Sequence, residues 1–139
     1  MLPFLRELDT KFHRTGRVSE VQAFDSVEAV LGHPLPADYK AFLMCADGGE
    51  TKPPLEHITF YPLDELVPRR ADGQPDDTLE FATDGSEGYA FDLRVGGGSA
   101  SYPVVAYPLG DTTREDLTFV AAEFRTFLEI VQDPGARYR

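Results

Sequence analysis

The 139-residue chain has a single cysteine and no long apolar run. One thiol, Cys45, cannot form a disulfide within the chain, which is typical of a reducing compartment. No apolar stretch approaches the roughly 20 residues that span a bilayer, and the first residues are too charged for a signal peptide. We therefore expect a cytoplasmic protein. Cys45 falls inside a predicted helix with no accompanying histidine pattern, so it is interpreted as a structural thiol.

The sequence also lacks the spacings that mark metal, phosphate and nucleophile sites. Its three histidines, His13, His33 and His57, are scattered and show no metal-ligand spacing with cysteine or carboxylates. The glycine-rich segments 85–88 and 96–98 are not phosphate loops, because no lysine and helix follow them. The sequence therefore predicts no catalytic residue, no metal and no cofactor, and a protein that is not an enzyme.

Basic residues are scarce, and the net charge is −11. Residues 1–70 carry a net charge of −3 and residues 71–139 a net charge of −8, and seven acids with no base lie between Ala71 and Leu93. This balance excludes binding to nucleic acid or to an anionic membrane, since both need Lys and Arg. Two interpretations of the acidic run remain. It is a solvated surface that keeps the protein soluble, or a docking surface for a basic partner.

The clearest helix follows Pro36, which suits a first helical turn, and ends at Asp47-Gly48-Gly49. A second helix is predicted over 20–32, with Ser19 as N-cap and Gly32 at its end. A third is predicted over 121–132. The residues 1–18 are either an arm or an extra helix. The predicted inner face of the 20–32 helix consists of Phe24, Val27, Val30 and Leu31.

Between these helices the hydrophobic period changes to that of strands separated by short turns. The order of helices, then hairpin-linked strands, then a helix implies one α+β domain, residues 1–139. In that fold the helices pack on one face of an antiparallel sheet of about five strands. The predicted strands are 57–61, 78–82, 89–94, 102–107 and 117–120.

Four blocks of sequence carry a resemblance to a known family. They are Leu35-Pro36-x-x-Tyr39-x-x-Phe42-Leu43 with a turn ending Gly48-Gly49, then Phe81-Ala82-Thr83-Asp84-Gly85 leading to Tyr89-Ala90-Phe91-Asp92, then Pro103-Val104-Val105, and Val120-Ala121-x-x-Phe124-x-x-Phe127-Leu128. In order and approximate spacing these blocks resemble the SUKH superfamily, over about residues 20–132. That group includes the yeast cell-wall-assembly regulator and many bacterial immunity proteins. Asp47 stands where the family usually has Asn, and either residue adopts the left-handed conformation.

The resemblance implies a twisted antiparallel sheet flanked by N-terminal and C-terminal helices, and it implies no catalysis. It also implies structural roles for the motif residues, which are Leu35, Pro36, Tyr39, Phe42, Gly48, Gly49, Tyr89, Phe91, Asp92, Phe124 and Phe127.

Bacterial members of the superfamily are implied to neutralise toxins, many of them nucleases, through protein binding. Our leading hypothesis is a cytoplasmic immunity protein that blocks a basic toxin through its acidic surface. Glu50 and Glu56 are weaker candidates for this surface. The predicted partner-facing residues are Asp76, Asp77, Glu80, Asp84 and Glu87.

Two alternatives stay open at this stage. One is an intracellular regulatory or scaffold module of the cell-wall-regulator type, without a toxin partner. The other is a small-molecule-binding or enzymatic cleft beside the sheet, lined by Tyr39, Tyr61, Tyr89 and Tyr107, although core packing is the commoner use of such residues. The sequence does not determine the oligomeric state.

Overall fold

A computed structural model of the chain describes residues 12–14, 16–18, 20–52, 55–70, 75, 77–94, 101–110 and 112–132. In this part of the chain seven strands form one antiparallel sheet in sequence order, which confirms the α+β class. The strands are β1 (Phe12–Arg14), β2 (Gly49–Thr51), β3 (Thr59–Phe60), β4 (Thr78–Thr83), β5 (Glu87–Asp92), β6 (Val104–Pro108) and β7 (Thr118–Ala121). The α-helices of the described residues are α1 (Gln22–Leu31), α2 (Ala37–Leu43), α3 (Leu66–Arg69) and α4 (Phe124–Gln132).

The prediction of about five strands missed β1 and β2. β1 lies within the 1–18 segment that we interpreted as an arm or a helix, most of which is outside the described residues. β2 lies where the sequence indicated only a turn. Each strand has three residues, which is too few to show a two-residue alternation, and Phe12 pairs with Thr51 across the two strands. Only this long-range pairing makes them strands.

Gly49 has a role in the sheet rather than at a helix end. α2 already ends at Leu43, and Gly49 begins β2 with a φ of 146°. A Cβ atom built on Gly49 would lie 2.3 Å from the backbone oxygen of His13, so a side chain there would push β1 away. Glycine therefore permits the close approach of β1 to β2.

Two of the predicted helices have different starts from those expected. α1 begins at Gln22, and the predicted cap Ser19 lies outside the described residues; Gly32 ends the helix in the left-handed conformation with φ 78°, as predicted. Val30 was wrongly placed on the inner face. It is 71% exposed, because six residues of helix turn it about 120° away from Phe24. α4 begins at Phe124 because residues 120 and 121 belong to β7.

An aromatic cluster between the sheet and helices α2 and α4 forms the centre of the core. The Tyr39 ring of α2 lies 5.0 Å from the Phe124 ring of α4 and 5.1 Å from the Phe91 ring of β5, both edge to face. Such pairs add about 0.5–1.5 kcal/mol each beyond the area they bury. The family-motif residues are all buried, although not all of them lie in this cluster: Leu35, Pro36, Tyr39, Phe42, Gly48, Gly49, Tyr89, Phe91, Asp92, Phe124 and Phe127.

The opposite face of the sheet carries a smaller apolar cluster of Ala90, Val105 and Tyr107, with Leu117 packed against it. Helix α3 contacts β4, where the Arg70 Nε donates to the backbone oxygen of Thr78. The packing of Leu117 buries part of a face that the strand pattern alone places in solvent. None of the described helices is both long and apolar enough to pass through a bilayer.

Candidate protein-binding surface

The acids predicted to face a partner do not form one surface. Asp77 lies just before β4 and Asp84 just after it, so the length of the strand, about 20 Å at 3.3 Å per residue, separates them. Asp76 lies outside the described residues. The acidic run of the sequence is therefore divided between the two ends of the β4–β5 hairpin.

Asp77 is held in an ion pair at the start of β4. Its Oδ2 accepts hydrogen bonds from Arg94 Nη2 at 2.6 Å and from Arg94 Nε at 3.0 Å. This Arg94 contact lowers the pKa of the Asp77 carboxyl. The backbone oxygen of Asp77 also accepts from the Leu93 N–H, so the pair joins the start of β4 to the end of β5.

Glu80 is buried and not partner-facing. Only 6% of it is exposed, and its carboxylate accepts hydrogen bonds from the hydroxyls of Tyr61 at 2.6 Å and Tyr107 at 2.5 Å. Burial raises the pKa of both tyrosines, and their hydrogen bonds to Glu80 raise it further. A Cβ built on Gly88 would lie 2.4 Å from Glu80 Oε1, so this glycine leaves the space that the carboxylate fills. Glu80 is therefore a structural residue on the face of the sheet opposite the main core, which we call the second face.

Asp92, at the end of β5, is also neutralised inside the molecule. Both of its carboxylate oxygens accept from Arg114 Nη2, at 3.0 Å and 2.9 Å. Arg114 begins the 3₁₀ turn Arg114–Asp116. The pair fixes the segment that leads into β7 against the end of β5.

Asp84 organises the turn between β4 and β5. Its Oδ1 accepts from the N–H groups of Ser86 at 2.9 Å and Glu87 at 2.8 Å, and Oδ2 accepts from the Tyr89 hydroxyl at 3.3 Å. Partial burial works to raise the pKa of Asp84, but the backbone donors of Glu87 and Ser86 outweigh it and the net shift is downward. Asp84 is exposed, and its oxygens already have donors.

Glu87 differs from the other acids of the run. It is exposed at the start of β5, and within the described part of the chain its carboxylate has no hydrogen-bonding or ionic partner. It lines a groove of about 520 Å³ together with Asp116 and with Phe119, which is 66% exposed. We call this the β5–β7 groove, and its lining residues are Glu87, Ala106, Tyr107, Pro108, Asp116, Thr118, Phe119 and Val120.

The sequence placed Phe119 in a strand but did not identify it as a surface residue. In the sheet Phe119 pairs with Val105, which puts both on the second face. On that face Val105 and Tyr107 are buried, whereas Phe119 is exposed. Leu109, in the loop after β6, is 45% exposed beside the β4–β5 turn, where its N–H donates to the backbone oxygen of Ser86. Strand alternation cannot show which part of a face is left uncovered.

A second opening of about 390 Å³ lies beside β2 and β3. Tyr61 lines it, and the Arg69 guanidinium lies 3.9 Å over the Tyr61 ring and pairs with Glu65 at 3.0 Å. Glu50, also in its lining, pairs with His57 at 2.9 Å. The side chains of Arg69, Glu65 and Glu50 therefore each have a partner within the molecule.

The tyrosines proposed for a small-molecule cleft do not meet at either opening. Tyr61 lines one opening and Tyr107 the other, whereas Tyr39 and Tyr89 are in the core. Glu56, the other weaker candidate, is exposed in the loop before β3. Among the described residues, no three His, Cys, Asp or Glu side chains come together in a way that would hold a metal ion.

Comparison with known families agrees with the motif residues. A model of the SMI1 / KNR4 family (SUKH-1) matches residues 20–130, which is most of the chain. The chain therefore belongs to the SMI1 / KNR4 family, and the resemblance to the SUKH superfamily is confirmed. Domains of this family act in protein interactions and are generally not catalytic. No curated protein matches the chain.

Proposed function

We propose that this domain is an immunity protein that binds and neutralises a basic toxin, such as a nuclease, through the β5–β7 groove. One observation carries the proposal. The exposed acids Glu87 and Asp116 line one groove, and its described lining contains no basic side chain. Of the acids indicated by the sequence, Glu87 lines this groove, and Asp84 is exposed in the adjoining turn.

The physical reason is charge complementarity. A nuclease is basic where it holds phosphates, so a protein that presents carboxylates can occupy that surface. Complementary charge accelerates encounter and selects the partner. The domain needs no catalytic group for this role. The proposal includes a cytoplasmic location, which a chain with the single thiol Cys45 fits.

The test captures partners from a lysate of the producing cell with three tagged baits: the unchanged protein, Glu87→Lys and Glu129→Lys. Glu129 is an exposed acid of α4, so its reversal changes the net charge equally at a different place. We expect the unchanged protein and Glu129→Lys to retain one basic protein that is released as salt rises. Glu87→Lys loses it, because a like charge then faces the partner.

The captured protein is then expressed alone and together with each bait. Growth arrest that the unchanged protein and Glu129→Lys relieve, and Glu87→Lys does not, supports the immunity role. A neutral or acidic partner that resists salt contradicts it and favours a regulatory or scaffold module of the cell-wall-regulator type. Equal rescue by all three baits contradicts the assignment of the surface.

A further inference from the structure

Strand β7 forms one edge of the sheet, and the described part of the chain offers it no partner on its outer side. It pairs with β6 and stands last in the strand order. None of the backbone hydrogen bonds made by the described turns, loops and caps involves residues 118–121. A strand edge of this kind exposes N–H and C=O groups that can pair with another chain.

The register of the sheet shows which residue of β7 turns its backbone outward. The Asp92 N–H donates to the oxygen of Pro103, and in an antiparallel sheet successive residues bond alternately to the two neighbouring strands. Ala106 lies three residues after Pro103, so its backbone groups face β7, where it pairs with Thr118. Thr118 therefore bonds to β6, and the N–H and C=O of Phe119 point away from the sheet.

The side chains of β7 do not protect this edge. Natural edge strands often carry charged residues or proline, which hinder pairing with another chain. At the opposite edge of the described sheet, β1 carries the exposed residues His13 and Arg14. β7 has neither a charge nor a proline, and its Phe119 ring is 66% exposed. The composition of β7 therefore leaves its edge open to a further strand.

The charges beside β7 decide between the possible occupants. Exposed Glu115 and Asp116 precede the strand. Two copies paired edge to edge about a two-fold axis would run antiparallel, which brings these acids towards Glu123 of the other copy. Arg125 lies 4.0 Å from Glu123 and offsets only that acid, and each copy carries a net charge of −11. Charge complementarity therefore favours a basic segment over a second copy.

We propose that the outer edge of β7 pairs with an extended, basic segment of the protein partner, which adds a strand to the sheet. The residue opposite Phe119 exchanges both backbone hydrogen bonds with it, and an apolar side chain at that position packs against the exposed ring. Basic residues of the segment lie beside Glu115 and Asp116.

The edge of β7 is continuous with the β5–β7 groove, because Asp116, Thr118 and Val120 also line that groove. A partner that reaches the groove therefore also reaches the edge. The inference deepens the proposed function and rests on it only for the identity of the partner.

The test uses NMR spectra of the ¹⁵N-labelled full chain and a short peptide, acetylated and amidated, in which threonine and valine alternate between terminal arginines. We expect it to shift the amide signals of Thr118, Phe119 and Val120 with saturation, and to slow the exchange of the Phe119 amide with solvent. A matched peptide with terminal glutamates binds more weakly. A second matched peptide is N-methylated at every central residue; it keeps the side chains and charge but has no central backbone donors, and it does not bind.

Two variants at one position separate the backbone from the side chain. Phe119→Ala removes the ring and is expected to weaken binding of the arginine peptide about two- to fivefold, the value of a cross-strand side-chain pair. Phe119→Pro also removes the outward N–H, and weakens binding a further three- to tenfold or so, the value of one hydrogen bond. Because this N–H points away from β6, proline leaves the pairing with β6 intact.

Several outcomes would overturn the inference. They are equal affinity for the N-methylated peptide, no binding of the arginine peptide, shifts confined to other residues, and equal affinity in Phe119→Pro and Phe119→Ala. Slow exchange of the Phe119 amide in the protein alone would also overturn it, because the edge would then be paired already, with a second copy or with another segment of the chain. If Phe119→Pro does not fold, the N-methylated peptide decides on the unchanged protein.

The two proposals fail in different ways. If Phe119→Pro captures and neutralises a toxin as well as the unchanged protein does, pairing at β7 is wrong and the immunity role stands. If the edge binds the arginine peptide but the captured protein is harmless, the immunity role is wrong and pairing at β7 stands.

Discussion

At the residue scale, burial decides what an acidic side chain does in this protein. Glu80 and Glu87 belong to the same acidic run and lie on neighbouring strands. Glu80 accepts hydrogen bonds from two buried hydroxyls, whereas Glu87 faces solvent. The sequence indicated one role for both, because the contacts of Glu80 with Tyr61 and Tyr107, which lie far from it in the chain, have no local signal.

Replacing Tyr107 by Phe is expected to flatten the loss of stability at high pH. An unfolded tyrosine ionises near its ordinary pKa of about 10, while in the fold burial and Glu80 raise the pKa of Tyr107 well above that value. The stabilisation of the neutral form is complete below pH about 10 and declines as the pH rises further towards the folded pKa. Urea unfolding at a series of pH values measures this slope. Equal slopes in the variant and the unchanged protein would contradict the assignment.

Gly88→Ala is expected to destabilise the fold by about 1–3 kcal/mol, the usual cost of overpacking. The added Cβ would lie 2.4 Å from the Glu80 carboxylate and 3.0 Å from the Tyr107 ring. Gly16→Ala is the matched control, because a Cβ at Gly16 meets nothing within 4 Å. Urea unfolding of both variants checks this, and equal effects at the two glycines would refute the close packing around Glu80.

At the scale of elements, helices α2 and α4 are joined by more than apolar packing. Asp38 of α2 accepts a hydrogen bond at its Oδ2 from the Arg125 N–H of α4, at 2.9 Å, and its Oδ1 accepts from the Tyr39 N–H. A carboxylate at the first turn of both helices satisfies free N–H groups and interacts favourably with both dipoles. One side chain of the family motif region therefore joins the first turns of two helices.

Asp38→Ala is expected to lower the free energy of unfolding by about 1 kcal/mol more than Asp25→Ala. Both acids lie in a first helical turn, but only Asp38 is also bound to a second helix. Thermal or urea unfolding of the two variants gives the difference. If both variants lose the same stability, the contact with Arg125 contributes nothing measurable.

Some of the helices and strands could be predicted from the sequence, and others could not. α1 and α2 were predicted because their apolar residues recur at helical spacing and glycines follow them. β1 and β2 were missed, since three-residue strands carry no periodic signal and exist only because Gly49 lets them approach. The start of α4 was placed too early because β7 runs almost directly into it.

At the scale of the whole molecule, the net charge of −11 destabilises the compact state by repulsion between the acids. The same charge attracts a basic partner. The described ion pairs, such as Asp77 with Arg94 and Asp92 with Arg114, neutralise only part of the 24 acids. The remaining excess is repulsive at neutral pH.

Sodium chloride is therefore expected to raise the melting temperature. Raising the ionic strength from about 0.01 M to about 0.15 M shortens the screening length from about 30 Å to about 8 Å, which weakens long-range repulsion more than close ion pairs. A thermal melt followed by circular dichroism at neutral pH measures the shift. Chloride is preferred to sulfate, which stabilises proteins by exclusion. A melting temperature that falls with salt would show that the ion pairs dominate.

The sequence by itself determined the α+β class, the family, the main helices and the acidic character of the second half. These properties follow from local periodicity, turn residues and composition, which neighbours along the chain specify. Only the tertiary structure decided which acids are free, where Phe119 is exposed and that two further strands complete the sheet. Those properties depend on which distant segment covers each face, because burial and pairing are set by contacts between residues far apart in the chain.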